Sequence, residues 1–469
     1  MRTFTYSPGT QLSFRKSWDV MKLRFGRFLI TLAVLSAPVA WSQAGSADSS
    51  QQQSSNGPQP VFTHPEDKPP LAMLEEVTSR SFINFGIGAI SAWDSNAAAF
   101  AYRGYSQTLF IISPSLEVKQ TRPTLMWYVS AYGGLTASTS SYYYTTSNPS
   151  ASAGFLYQIN RHWQLSVNDN YMYTASPFRQ YLVLSSAPSY NQPNPTIYVP
   201  LTTTEQNYGI VDLTYQINAH DSLTFTGTEN FRRFLHNTYS AYNLYSYGGV
   251  TSYQHIFSAR LSAGAAYSYT SLDFGHGQSR SGIQMMQGFA TYQFSPHMVV
   301  TGWVGPQYTV TKNLIPILCT PYGCFIEVKH NKAWDMSFGG NFGWSGERNA
   351  VTASFSKSVS DGGVLLGIVQ LYQVNGNFTR QLTPRWNFTL GMLYGNNNGY
   401  STQVHYRHLN SFTGNVGFTR QLTPTLSAGL QYIRFYETQK NIIGAAAPKW
   451  TDNHIQFTLQ YNLGYSLGR

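Results

Sequence analysis

Only 11% of the 469 residues are Asp, Glu, Lys or Arg, less than half of the ~25% found in an ordinary soluble chain. Aromatic residues reach 15%, which excludes disorder over most of the length, and two cysteines exclude a disulfide scaffold or a cysteine-rich metal site. The formal charge of +10 falls to +5 once residues 1–44 are set aside, which leaves 24 basic and 19 acidic residues. No Lys/Arg run suits a phosphate backbone, so the reading includes no nucleic acid. A chain poor in charge, rich in aromatics and still polar on average must interleave apolar and polar residues finely, as strands do when their two faces meet different solvents.

In chain order, Met21–Ala44 comes first. Lys22, Arg24 and Arg27 precede the apolar run Phe28–Ala40, and Ser42-Gln43-Ala44 supplies small residues for cleavage. This is the pattern of a secretory signal, with Met21 an alternative start. The run is shorter than the ~20 apolar residues a spanning helix needs. Residues 45–78 read as a polar periplasmic leader, with a short helix expected over Leu71–Val77. Residues 79–469 read as one barrel.

The barrel reading rests on alternation. Ile455, Phe457, Leu459, Tyr461, Leu463, Tyr465 and Leu467 share one parity, while His454, Gln456, Thr458, Gln460 and Asn462 share the other. A period of two over such a length outruns a sandwich strand, typically of about five or six residues, and matches a tilted strand crossing a bilayer. Similar rows occupy 334–344, 372–379, 386–394 and 411–419. FTRQLTP stands at 378–384 and again at 418–424, with looser relatives at 157–165, 215–223 and 292–300. A propeller blade shares the 40-residue period but needs about four strands in it, and these periods hold two long ones. The expected architecture is all-β, a transmembrane up-and-down antiparallel barrel of about eighteen strands, with sixteen the alternative. Short turns are expected near Arg122, Arg161, Ala219, Ser258, Pro296, Glu347, Thr383 and Thr423. Long loops are expected at 135–149, 174–205, 234–244, 271–282, 309–333, 396–405 and 438–451. An even strand count puts both termini on the periplasmic side of a bacterial outer membrane. The implied partners are outer-membrane lipid and the barrel-assembly machinery. Asp169 and Glu229 fall in the apolar parity, which leaves two readings: a bulge that reverses their facing, or a position above the membrane.

Trp93-Asp94-Ser95-Asn96, followed by Ser113, Pro114 and Leu116, resembles the opening of the β-barrel porin 2 group and its exopolysaccharide-associated relatives. The resemblance spans about thirty residues and implies an outer-membrane barrel, with exopolysaccharide export as one role.

No grouping of His, nucleophile and acid indicates an enzyme, and no spacing indicates a metal or cofactor. His330, His405 and His454 read as lumen or loop residues. Cys319 and Cys324, in CTPYGC, are expected to form a disulfide in an exposed loop. The expected pore lining is Glu117, Asp212, Asp335, Asn341, Gln373, Asn375, Asn377, Gln456 and Gln460, with Arg232 among the few lumen charges. An amide-rich wall suits neutral polar solutes such as saccharides, and equally it simply tolerates water. Tyr142–Tyr144, Tyr239, Tyr242, Tyr245 and Tyr247 serve sugar stacking or an interfacial girdle. The sequence therefore reads as a porin-like channel. A closed structural or adhesion barrel and an outer-membrane enzyme are its rivals.

Overall fold

In the computed structural model the described residues are 81–96, 106–139, 146–174, 203–235, 243–275, 277–320, 323–361, 368–399, 408–440 and 449–466. The signal, the leader and the helix expected over Leu71–Val77 lie outside them. The first strands are β1 (Phe82–Asp94), β2 (Gln107–Thr121), β3 (Leu125–Tyr132), β4 (Leu135–Ser138), β5 (Thr146–Ser147) and β6 (Ser150–Gln158). They are followed by β7 (Trp163–Thr174), β8 (Thr204–Gln216), β9 (Asp221–Phe234), β10 (Leu244–Ser258), β11 (Leu261–Phe274) and β12 (Ser279–Ser295). The remainder are β13 (Met298–Thr320), β14 (Gly323–Ser345), β15 (Asn349–Asp361), β16 (Ile368–Thr383), β17 (Trp386–Gly399), β18 (His408–Gln421), β19 (Leu426–Lys440) and β20 (Lys449–Ser466).

Outside the β3–β6 region, each strand pairs antiparallel with its sequence neighbours. β3 and β4 both pair β2 and are halves of one broken strand, matched by β5 and β6 on the next. The twenty segments therefore make eighteen staves. β1 pairs β20 from Phe82↔Ser466 to Asp94↔His454, so the sheet closes on itself. Closure removes the outer edges of the sheet, which is how a barrel satisfies the backbone N–H and C=O groups of its spanning strands without water.

The eight short turns fall where the sequence places them, and their chemistry explains the repeat. Asn160 Oδ1 accepts from the backbone N–H of His162 and Trp163 at 2.8 and 2.9 Å. Asn218 Oδ1 does the same for His220 and Asp221 at 2.7 and 3.0 Å. In the two FTRQLTP copies the hydroxyl takes that role. Thr383 Oγ1 accepts from Arg385 and Trp386, and Thr423 Oγ1 from Thr425 and Leu426. A short polar side chain that bonds its own backbone two and three residues on fixes a tight turn.

The loop side departs from expectation in three places, the first being 135–149, where β4 and β5 extend the ladder and leave only 139–145 as the connection. Residues 309–333 are not a long loop: β13 and β14 continue as a paired hairpin to Thr320 and Gly323. The β11–β12 connection likewise shrinks from 271–282 to the residues between Phe274 and Ser279. Connections between β1 and β2 and between β15 and β16 complete the loop side.

The outer face is apolar and exposed: Phe85, Ile87, Met286, Leu390, Met392, Leu430 and Phe457 all point away from the axis. Aromatic rings thicken both rims. Phe388 packs between Phe378 and Phe418 at the turn side, where the Arg420 guanidinium sits 5.3 Å from the Trp386 ring centroid. Tyr245 stacks on Phe231 at the loop side. Tyrosine, tryptophan and arginine at the edges of an apolar belt suit the two membrane interfaces. Asp169 and Glu229 stay on the outer face without a bulge in β7, β8 or β9. Both lie in the loop-side halves of their strands. Asp169 Oδ1 accepts from Asn207 Nδ2 at 2.8 Å, and Glu229 stands in register with the exposed Tyr247.

Candidate functional site

The inward face is built by the other parity of the same strands. On β16, Gln373 is 5% exposed and Val374 beside it 41%, because Gln373 points into the barrel and Val374 out of it. Asn375 and Asn377 follow Gln373 on the inner face, and Gln456 and Gln460 lie on that of β20. Asn341 stands in register with Ser354, which stands in register with Asn375, so β14 to β16 carry one inward polar row. Glu117 and Asp212 also face inward, and Asp212 Oδ1 accepts from Thr226 Oγ1 at 2.6 Å. Gly391 on β17 leaves room for this lining, since a Cβ there would fall 2.1 Å from Asn415 Oδ1.

All nine expected lining residues thus lie on the inner parity, but three corrections apply. First, the interior is not lined by amides and hydroxyls alone. Leu244, Leu272, Phe274, Ile283 and Ile368 form one buried apolar cluster, and Ile90, Ala92, Leu109, Ile111 and Ile433 another. Both lie in the loop-side half. On β1 and β20 most inward side chains of that half are buried and most of those in the turn-side half stay partly exposed, whereas on β10, β11 and β12 inward residues near the turns, among them Gln254, Ile256, Ser262 and Thr291, are buried as well. Side-chain packing therefore fills the interior unevenly around the barrel.

Second, Asp335 is not a free lumen charge. Lys357 Nζ donates to its Oδ1 at 2.6 Å, Gln370 Nε2 donates to Oδ2, and the Met336 backbone N–H donates to Oδ1 at 2.8 Å. Third, inward acids are more numerous than the sequence reading allowed: Asp94, Asp452 and the fully buried Glu437 join Glu117 and Asp212.

Asp94, Asp452 and His454 come together where the barrel closes. They are 3%, 2% and 2% exposed, and His454 Nε2 lies 2.7 Å from Asp452 Oδ2. Among the described residues they are the group whose ligand-type atoms all lie within 4.8 Å of one another. Neutral donors surround them. Gln107 Nε2 donates to Asp94 Oδ2 at 3.0 Å, Ser95 Oγ to Asp452 Oδ1 at 3.1 Å, and the Asn96 backbone N–H to both carboxylates. These bonds join β1, β2 and β20, so the arrangement works as a clamp across the closing seam. The sequence reading treated His454 as a lone residue and missed this cluster. The available signal was Asp452 and His454 at i, i+2 on an inward row, opposite an Asp at the end of the first strand.

Cys319 and Cys324 are register partners within the β13–β14 ladder rather than residues of a loop outside it. His330 faces outward on β14 in register with Lys312, and His405 lies outside the described residues.

A closed eighteen-stranded antiparallel barrel, apolar outside and polar over much of its interior, is a membrane-spanning barrel of the bacterial outer-membrane type. No family model and no curated protein matches the chain. Similar solved structures include Pseudomonas aeruginosa OpdQ, at 10% identity and TM-score 0.43 over 82% of this chain and 99% of that one. P. aeruginosa OpdL matches at 11% identity and TM-score 0.42 over 82% and 99%. The E. coli K12 ferric-catecholate import receptor Fiu matches at 8% identity and TM-score 0.41 over 81% of each chain. None of these likenesses assigns a solute or a partner to this chain.

Proposed function

We propose that this chain is an outer-membrane channel that passes small polar solutes, with neutral saccharides the favoured class and both termini in the periplasm. The observation that carries the reading is the inner row Asn375, Asn377, Gln460 and Asn462, which is polar and only partly buried. Amides both donate and accept hydrogen bonds, so they can replace the hydration of a sugar hydroxyl without imposing a charge. Phe82 and Ser466 meet at the short-turn end, which corresponds to the periplasmic face if turns and loops follow the usual asymmetry. The resemblance carried by Trp93–Asn96 extends the proposal to saccharides of the exopolysaccharide kind.

The two buried apolar clusters favour a second reading, a structural or adhesion barrel plugged on its loop side. Purified protein inserted into planar bilayers decides between them. Discrete conductance steps, with swelling of protein-bearing liposomes in neutral oligosaccharide, are expected of the channel. Correctly folded protein that gives neither belongs to the plugged barrel.

A further inference from the structure

Arg232 on β9 and Asp361 at the end of β15 are six strands apart around the wall, yet Arg232 Nη1 and Asp361 Oδ2 meet at 2.7 Å. Six inter-strand spacings amount to ~30 Å along the wall, further than an Arg and an Asp side chain can jointly reach across an open barrel. One side must therefore leave the wall. It is not β9, which stays paired with β8 and β10 through Arg232. It is β15. Its pairing with β14 ends at Phe338↔Lys357, whereas its pairing with β16 runs on to Asp361↔Ile368. Beyond Lys357 the sheet splits between β14 and β15, and the end of β15 turns inward with β16, which stays paired with β17 as far as Val369↔Gly399.

Burial supports the same geometry. Val359 and Ile368 share the parity of the exposed, outward-facing Phe355 and Tyr372, but they pack against Leu244, Leu272, Phe274 and Ile283 on β10, β11 and β12. Residues of that parity can reach the opposite inner wall only if the β15–β16 end has folded into the lumen. Lys357 and Gln370, at the bend, hold Asp335 of the abandoned β14 edge. The Arg232 guanidinium is 3% exposed and lies 5.8 Å from the Phe234 ring centroid, which fixes it against its own wall.

We propose that the ends of β15 and β16 form a crossbar over the lumen, latched by Arg232 and Asp361, and that this latch sets the size limit for passing solutes. The inference rests on the channel reading. The pair fits the task because a charged, hydrogen-bonded latch attaches at one geometry, whereas apolar contacts alone slide.

Two measurements separate the geometry from the channel reading. In a background with Cys319→Ser and Cys324→Ser, Arg232→Cys combined with Asp361→Cys is treated with a short bismaleimide in the folded, membrane-inserted protein. An intramolecular crosslink is expected; its absence, with both thiols reactive, overturns the crossbar. In planar bilayers, Arg232→Ala and Asp361→Ala should each raise single-channel conductance severalfold and admit larger polyethylene glycols. The swapped pair R232D/D361R should restore the wild-type limit, which also shows that the effect is not misfolding. If wild type conducts and the single variants match it, the latch does not set the limit and the channel reading stands. If the wild type and every variant are silent although the crosslink forms, the channel reading fails and the size limit with it.

Discussion

Asp94, on the last residue of the first strand, stands opposite His454 of the final strand, and both are buried against Asp452. The seam that closes the barrel thus carries a buried polar set held by several hydrogen bonds. Removing one member of such a buried set leaves the others with unmet hydrogen bonds. Asp452→Ala is therefore expected to destabilise the folded barrel by about 3–5 kcal/mol, the cost typical of breaking a buried charged pair from one side. Urea unfolding in lipid bilayers measures this directly. Stability equal to wild type would show that the clamp contributes nothing to closure.

The two faces of β16 give a second test. Val374 points out and Asn375 in. Val374→Arg should cost about 2–4 kcal/mol if the position lies near the bilayer midplane. Asn375→Arg should cost little, since Asn375 lies on the inner face and is only partly buried. The same unfolding assay compares the two, and equal losses would contradict the facing assignment.

The parts legible in the sequence were those governed by period two and by turn chemistry. Residues 455–465 alternate without a fault because one face meets lipid and the other a polar interior. Asn160, Asn218, Thr383 and Thr423 each mark a turn by capping it. Legibility ended where both faces are apolar. On β12, Met285 points in and Met286 out, so the alternation vanishes although the strand is regular. The same loss hides the Leu244, Phe274 and Ile368 cluster, because inward apolar residues copy the lipid-facing signal. Residues 309–333 read as a loop, whereas β13 and β14 continue there as a hairpin in which Pro316 stands opposite Ile326, where β13 has no partner on its β12 side. Contacts between distant strands, such as Arg232 with Asp361, leave no local pattern at all.

Cys319 and Cys324 are register partners near the tip of the β13–β14 hairpin. The pair is expected to be oxidised after export. A staple there joins residues already held together by the ladder, so replacing both with Ser should leave assembly unchanged. Maleimide labelling of the unreduced, denatured protein checks the oxidation, and the mobility shift on gels before and after boiling checks assembly. Labelling of both thiols, or loss of the shift in the double variant, would each contradict one half.

The inward acids make a last prediction. Glu117 and Asp212 lie on the inner face without an ion-pair partner among the described salt bridges, whereas Asp335 is neutralised by Lys357. Rings of carboxylates draw cations into a pore and repel anions, so the conducting protein should prefer cations. Glu117→Gln with Asp212→Asn should reduce that preference, while Asp335→Asn should reduce it less, because its charge is already compensated. The effect should be larger in dilute salt, where the Debye length grows from about 10 Å at 0.1 M towards about 30 Å at 0.01 M. Reversal potentials across a salt gradient report the permeability ratio directly. An unchanged potential in the Glu117/Asp212 double variant would place those carboxylates off the ion path, and an equal shift from Asp335→Asn would show that Lys357 does not mask Asp335 in the working channel.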